Sequence, residues 1–250
     1  METKYLAAGA LTGVGKHAEA VKELPGDFAG VARTVQGLLI HEFWGDAYGV
    51  TLRPEERETV HLRSAADILD AVLARDPRPL SVAREPSQRV ATNCRGFTVV
   101  SVALLRAHGV PARARCGFGT YFKPGWFEDH WVVEYHDGSR WRRGDAQIDD
   151  VQRSALEIDF DLSDVGDRFV VAGEALRRVR AGEAPAERFG LSTIDEGGED
   201  WILDNVARDA VAVAGVEVLP WDTWDGMRDD PVKIPDIVIN ELRKRPEPVS

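Results

Sequence analysis

In residues 27–42, DFAGVARTVQGLLIHE, apolar positions recur at helical spacing. Phe28, Val31, Val35, Leu38 and Leu39 share one face, and Asp27 stands in front as an N-cap. The spacing predicts a helix over 27–42. A second run, SAADILDAVLARD, opens on Ser64 as N-cap and turns Ile68, Leu69, Val72 and Leu73 inward. Pro77 and Pro79 end it, because proline lacks the N–H that the next helical turn needs. Residues 76–91 carry three prolines and read as a loop. The stretch TNCRGFTVVSVALLRAHGV follows. It predicts a helix from Cys94 to His108, with Gly109 in the left-handed C′ position and Pro111 beyond. Phe97, Val99, Val100, Val102, Leu104 and Leu105 cover more than one face, the pattern of a central helix packed on both sides.

The period then changes from helical to alternating. ARARCGF reads as a strand, and HWVVEYHDGSRWRRGDAQ as a hairpin turning on Asp137-Gly138. A two-residue turn there sets His136 opposite Ser139 and, counting back along both strands, His130 opposite Asp145. Further on, SDVGDRFVVAGEALRRVRAG and DWILDNVARDAVAV look helical, and VLPWDTWDGM is a tryptophan-rich loop whose Trp221 and Trp224 read as anchors on the core. The end, RKRPEPVS, is polar and reads as frayed. No internal repeat or composition break appears. The expected architecture is α+β in one domain. A core motif spans about 90–150, with a helical part over 1–80 before it and a helical extension over 151–250 after it.

Composition adds exclusions. With 44% hydrophobic and 29% charged residues, the 250-residue chain has the make-up of a soluble globular protein. No apolar run approaches the roughly 18 residues of a membrane span. The start, METKYLAAGALTGVGKHAEAV, lacks the charged region and apolar stretch of a secretory leader, so a cytoplasmic location is expected. The net charge of −11 argues against nucleic-acid partners, which need a basic footprint. Two cysteines make no disulfide framework, and without Cys-x-x-Cys or His-x-x-x-His no metal site or cofactor is expected.

The position of Cys94 is informative. A thiolate is the reactive form of cysteine, and a helix N-terminus lowers its cost by supplying partial positive charge and unpaired N–H groups. The same N–H groups can hold an oxyanion. His130 is the candidate base, and Asp145 the candidate group that orients its ring. Each has an ordinary alternative: Cys94 a buried core residue, His130 a structural strand residue, Asp145 a turn residue after Gly144. Cys116, inside an alternating strand, reads as core. Asp129 and Trp131 flank His130 and are candidates to line a cleft, although Trp131 points to the other strand face, where core packing is the default. Trp126, in the loop before the base, is a further cleft candidate. Arg113, Arg115, Arg142 and Arg143 read as paired with the many acids, with anion binding as the alternative. His41 with Glu42, and His61, read as capping or surface residues.

Together the motifs resemble the transglutaminase-like superfamily, within the papain-like cysteine protease fold. The resemblance rests on NCRGFTVVSVALLRAHGVPARARCGF, then DHWVVEY, then RWRRGDAQ. These give a cysteine opening a helix, the helix ending in Gly109-Val110-Pro111-Ala112-Arg113, a histidine on a later strand and an aspartate on the next. The chain would be a stand-alone bacterial-type member, with neither the calcium sites nor the extra β-domains of the large animal enzymes. The resemblance implies a central helix starting at the catalytic cysteine, packed on a small antiparallel sheet. It implies Cys94, His130 and Asp145 as a triad that forms a thioester from an amide, ester or thioester. Water, an amine or a thiol then takes the acyl group. Papain-like enzymes carry a side-chain oxyanion donor upstream of the cysteine, which makes Gln88 a candidate; Asn93 is another, with an N-cap role as its alternative. The substrate class is a small-molecule or peptide acyl compound, carrier-bound forms included; the oligomeric state stays open. A water-excluding, amide-forming enzyme would need a deep apolar channel walled by residues such as Trp126 and Phe127; a peptidase would need an open groove. The competing readings are a non-catalytic binding or scaffold module of the same fold, and a redox or metal protein using Cys94 and Cys116.

Overall fold

The structure is a computed structural model and describes residues 2–229; the RKRPEPVS end lies outside the described residues. In chain order the helices are α1 (Ala18–Lys22), α2 (Phe28–Leu38), α3 (Pro54–Arg57), α4 (Ala65–Arg75), α5 (Cys94–Ala107), α6 (Asp150–Ala155), α7 (Ala172–Arg180) and α8 (Glu199–Val213). The strands are β1 (Leu39–His41), β2 (Val90–Thr92), β3 (Ala112–Gly119), β4 (Phe127–His136), β5 (Trp141–Gly144), β6 (Phe169–Val171), β7 (Phe189–Leu191) and β8 (Glu196–Gly197). The class is α+β.

α5 is the central element. Its side chains from Arg95 through Arg106 are all buried. α2 and α4 pack on it from one side, β3 and β4 from the other. Asn93 caps its start in an extended conformation, its side chain accepting from the Gly96 N–H. At its end Gly109 takes φ +78°, as the C′ position requires. The larger sheet runs β6-β3-β4-β7-β8, with β5 pairing β4. β3 and β4 are antiparallel, from Ala112 beside Tyr135 to Gly119 beside Glu128. One face gives Ala112, Ala114, Cys116, Trp131 and Val133 to the core around α5. Phe118 joins a second cluster with Phe189, Ile202 and Val206, under α7 and α8.

Three expectations change. The predicted helix 27–42 stops at Leu38, and Leu39–His41 becomes a strand pairing in parallel with Val90–Thr92. Leu39, Ile40 and His41 are buried on every side there, so a distant strand overrides the local helical spacing. The segment around 163–182 is not one helix: Phe169–Val171 adds a strand to β3, and only Ala172–Arg180 is helical. A β-branched and aromatic triplet suits an edge pairing. With β6, β7 and β8 in the sheet, the C-terminal part is therefore not purely helical. Lastly, the hairpin turn has four residues. The Asp137 carboxylate accepts from the N–H groups of Ser139 and Arg140, both at 2.8 Å, and sets His136 opposite Trp141.

Other expectations hold. Cys116 is fully enclosed, and burial pushes its thiol well above the ordinary value. Arg113 and Arg115 pair with Glu134, and Arg115 also with Asp209. Arg142 pairs with Asp137 and Asp164, whereas Arg143 donates to the Phe169 carbonyl at 2.9 Å rather than to an acid. Trp224 packs on the core, but Trp221 is 44% exposed and sits edge-on to His61. Among the described residues no helix is long and apolar enough to cross a membrane.

The start of α5 tolerates no extra bulk. A Cβ on Gly96 would lie 1.9 Å from Thr92 Oγ1 and 3.0 Å from Thr92 Cβ. Gly96→Ala is expected to destabilise the fold by about 1–3 kcal/mol, the usual range for overpacking. Gly173→Ala, with nothing within 4 Å of its added Cβ, should leave stability unchanged or raise it slightly. Thermal unfolding of the two variants beside the parent chain checks both.

Candidate active site

Three elements bring Cys94, His130 and Asp145 together. Cys94 is the first residue of α5, half-buried, and its N–H belongs to the opening turn that no intrahelical carbonyl reaches. His130 lies on β4 and is 2% exposed. Asp145 follows the last residue of β5. It does not oppose His130 in the ladder, since Gly144 pairs with Val133 and β5 ends there. Instead the chain leaves the sheet, the Asp145 N–H donating to the Leu162 carbonyl at 2.8 Å. That exit carries the carboxylate to His130 Nε2, 2.8 Å from Oδ2. The expected pairing thus forms by a different route, since the four-residue turn shifts the register.

Both oxygens of Asp145 accept hydrogen bonds. Oδ2 also accepts from the Tyr121 hydroxyl at 2.8 Å, and Oδ1 from the Gln147 N–H at 2.9 Å. Burial works against the carboxylate charge, but the charge of His130 and these hydrogen bonds outweigh it and hold Asp145 below its ordinary value. Burial likewise opposes charge on His130. The Asp145 carboxylate, its hydrogen bond and the Cys94 thiol overcome that and raise the imidazole to about 10. With Nε2 on Asp145, the ring nitrogen left for Cys94 is Nδ1. Phe122 packs edge-on against the ring, with centroids 4.7 Å apart.

Cys94 and His130 open on a cavity of about 210 Å³. Its walls are largely aromatic and apolar, from Phe43, Trp44, Phe122, Leu191, Trp201 and Trp221. Asn93 and Asp129 also line it. Asn93 spends Oδ1 on capping, and its Nδ2 is buried with no partner among the described residues. Asp129 accepts from Trp201 Nε1 at 2.7 Å and Asn205 Nδ2 at 3.0 Å; burial pushes its carboxyl up, against the charge of Arg208.

The other site candidates lie elsewhere. Gln88 ends an exposed turn, Pro86–Gln88, and does not reach the cavity. Trp126 is buried against the sheet edge, its Nε1 donating to the Gly190 carbonyl at 3.3 Å, and Phe127 stacks on Phe189. Trp131 faces α5 in the core, on the opposite side of β4 from His130, as strand alternation demands. None of these three tryptophan and phenylalanine side chains walls the cavity.

Several cavity residues were not singled out as site residues. His41 was read as a capping or surface residue, yet it is 8% exposed and lines the cavity. Its strand pairing with β2 is a long-range event with no local signal. Glu128 was legible in principle, since it sits two residues before His130 on the same strand face. Gln147 and Trp201 come from a loop and a helix that only the tertiary fold brings near, and Tyr121, outside the cavity lining, reaches Asp145 from the loop after β3. Among the described residues, no group of three or more His, Cys, Asp or Glu side chains is placed to hold a metal ion.

No curated protein matches the chain. A crystal structure named "a Putative Cysteine Protease from Cytophaga hutchinsonii" is similar at 17% identity with a TM-score of 0.40. The match covers 69% of this chain and 48% of that one, so this chain spans about half its length. The family model of the transglutaminase-like superfamily matches residues 62–146, a span that begins just before α4 and takes in Cys94, His130 and Asp145. That match over residues 62–146 supports a cysteine-dependent catalytic role.

Proposed function

We propose that the chain is an acyl-transfer enzyme in which Cys94 attacks a carbonyl carbon and holds the acyl group as a thioester. The supporting observation is His130, fixed between the buried Asp145 carboxylate and the Cys94 thiol. His130 takes the thiol proton at Nδ1, leaving a thiolate beside an imidazolium. The thiolate adds to the carbonyl, and the carbonyl oxygen becomes an oxyanion near the Cys94 N–H at the start of α5. As the oxyanion collapses, the leaving group takes the proton from His130. The acceptor then attacks the thioester, with His130 removing its proton. Asp145 keeps the ring oriented and its charge stabilised throughout.

The cavity narrows the substrate. A volume of about 210 Å³ with aromatic walls suits a compact apolar acyl group. It suits a run of peptide residues less well, since peptide recognition needs an open groove. Apolar walls around the sulfur also keep water from the thioester, the condition for transfer to an amine. The reading is therefore a small-acyl transferase or amide-forming enzyme, with hydrolysis as the default fate when no amine is present.

Alkylation of Cys94 tests the thiolate. Iodoacetamide should modify Cys94 in the folded chain at neutral pH, and His130→Ala should slow that reaction strongly. Cys116 serves as the internal control and should stay unmodified in the folded chain. Peptide mass spectrometry reads both sites; a Cys94 as inert as Cys116 would remove the nucleophile and leave a binding module.

Asp145→Asn tests the electrostatics with a defined sign. The folded pKa of His130 is raised from 6.5 to about 10. Its contribution to folding is therefore fully present below 6.5 and lost as pH rises through about 10. The imidazolium persists over the same range. Removing the Asp145 charge should draw the alkaline limit of both stability and the thiolate–imidazolium pair toward neutral pH. Denaturant unfolding between neutral and alkaline pH measures the first, and thiolate absorbance near 240 nm the second. Identical alkaline limits in parent and variant would refute the assignment of Asp145.

A further inference from the structure

We propose that His41 is the second oxyanion donor at Cys94, acting through its neutral Nε2–H. This rests on the acyl-transfer reading above and adds a catalytic residue to it. The placement follows from the short parallel pair of β1 and β2. His41 is the register partner of Thr92, and register partners on adjacent strands point to the same face. Thr92 faces the first turn of α5, as its closeness to Gly96 shows. His41 is therefore aimed at the same turn, where the Cys94 N–H is unpaired. It lines the cavity together with Cys94, Asn93 and His130.

The hydrogen bonds of His41 fix its tautomer. Nδ1 accepts from the Phe43 N–H at 3.2 Å, so in the neutral ring the proton is on Nε2. Nε2 makes no hydrogen bond to a described residue. A ring in this state donates from Nε2 and cannot take a proton there, which excludes a base role. Burial, with the like charge of His130 beside it, drives the imidazole down to about 3, against a smaller pull from Asp145. The ring stays neutral through the working range. A neutral imidazole as hydrogen-bonding electrophile has precedent in other enzymes. A charged one would repel the His130 imidazolium that the thiolate needs.

Trp44 and Trp221 also line the cavity; of the two side-chain amides there, one is engaged and the other enclosed. Gln147 Nε2 donates to Gln152 Oε1 at 3.0 Å. Asn93 Oδ1 caps α5 and its Nδ2 has no accessible surface. In the step itself the S–C bond forms as the carbonyl π pair moves onto oxygen. The Cys94 N–H and His41 Nε2–H hold that oxygen, and neither proton is transferred. When the C=O bond re-forms, the leaving group departs with the proton from His130.

Two electrophiles on the same thiolate separate this role from a structural one. p-Nitrophenyl acetate acylates through an oxyanion, whereas iodoacetamide reacts by displacement of iodide and forms none. His41→Phe keeps the ring volume without a donor, and His41→Gln places an amide N–H near the position of Nε2. His41→Phe should slow the p-nitrophenolate burst by about 100-fold or more and leave alkylation of Cys94 nearly unchanged, with His41→Gln recovering much of the burst. A parallel loss of both reactions, or a burst that His41→Phe does not slow, would overturn the assignment. Failure of the acyl-transfer reading looks different: parent Cys94 would alkylate yet show no burst, and the role of His41 would fall with it.

Discussion

A histidine and a carboxylate, each at most 2% exposed, are hydrogen-bonded in the interior beside a half-buried thiol. Moving such charges out of water costs several kcal/mol per ion, and the pair survives only when every remaining hydrogen-bonding position is filled. Here Asp145 takes His130 Nε2, the Tyr121 hydroxyl and the Gln147 N–H. Much of the fold serves that arrangement. β4 carries His130 over the start of α5. The end of β5 turns out of the sheet to deliver Asp145, and the loop after β3 supplies Tyr121. A structural histidine would be cheaper to bury neutral. Retaining the charged pair next to a helix-start cysteine makes sense if a thiolate must be stabilised there.

The N-terminal segment bears on the site as well as on the fold. β1 and β2 form a two-stranded parallel sheet, separate from the main sheet, and their pairing sets His41 beside the residue that packs under Gly96. The crowding at Gly96, the cap at Asn93 and the direction of His41 are thus one packing problem. Aromatic side chains from the loop after β1 and from the segment after α8, Phe43, Trp44 and Trp221, then close the cavity from two distant parts of the chain.

Much of this was legible in sequence. α5 was readable to within a residue because Asn93, Gly109 and Pro111 are local signals that agree with the apolar pattern. Cys94, His130 and Asp145 were legible as candidates from helix-start chemistry and strand order, and the structure sets them side by side. What failed was non-local. Leu39–His41 has helical spacing but pairs with a strand fifty residues on, which hid His41. The Asp137 side chain builds a four-residue turn where Asp-Gly suggested two, so the register argument was wrong although its residue pair was right. Phe169–Val171 reads as part of a helix over 163–182 until β3 offers it an edge. Gln88 is a candidate by resemblance and Trp126 by its place just before His130, and neither sets which way a loop faces.

The protonation state of His130 tests the central claim most directly. ¹⁵N-detected NMR of the imidazole in the Cys-bearing chain, followed from pH 6 upward, reads each ring nitrogen separately. Both nitrogens should be protonated at neutral pH, with the transition displaced far above the ordinary 6.5 toward about 10. A His130 that titrates near 6.5, with one bare nitrogen at neutral pH, would contradict a thiolate–imidazolium pair and with it the account of Cys94 as a nucleophile.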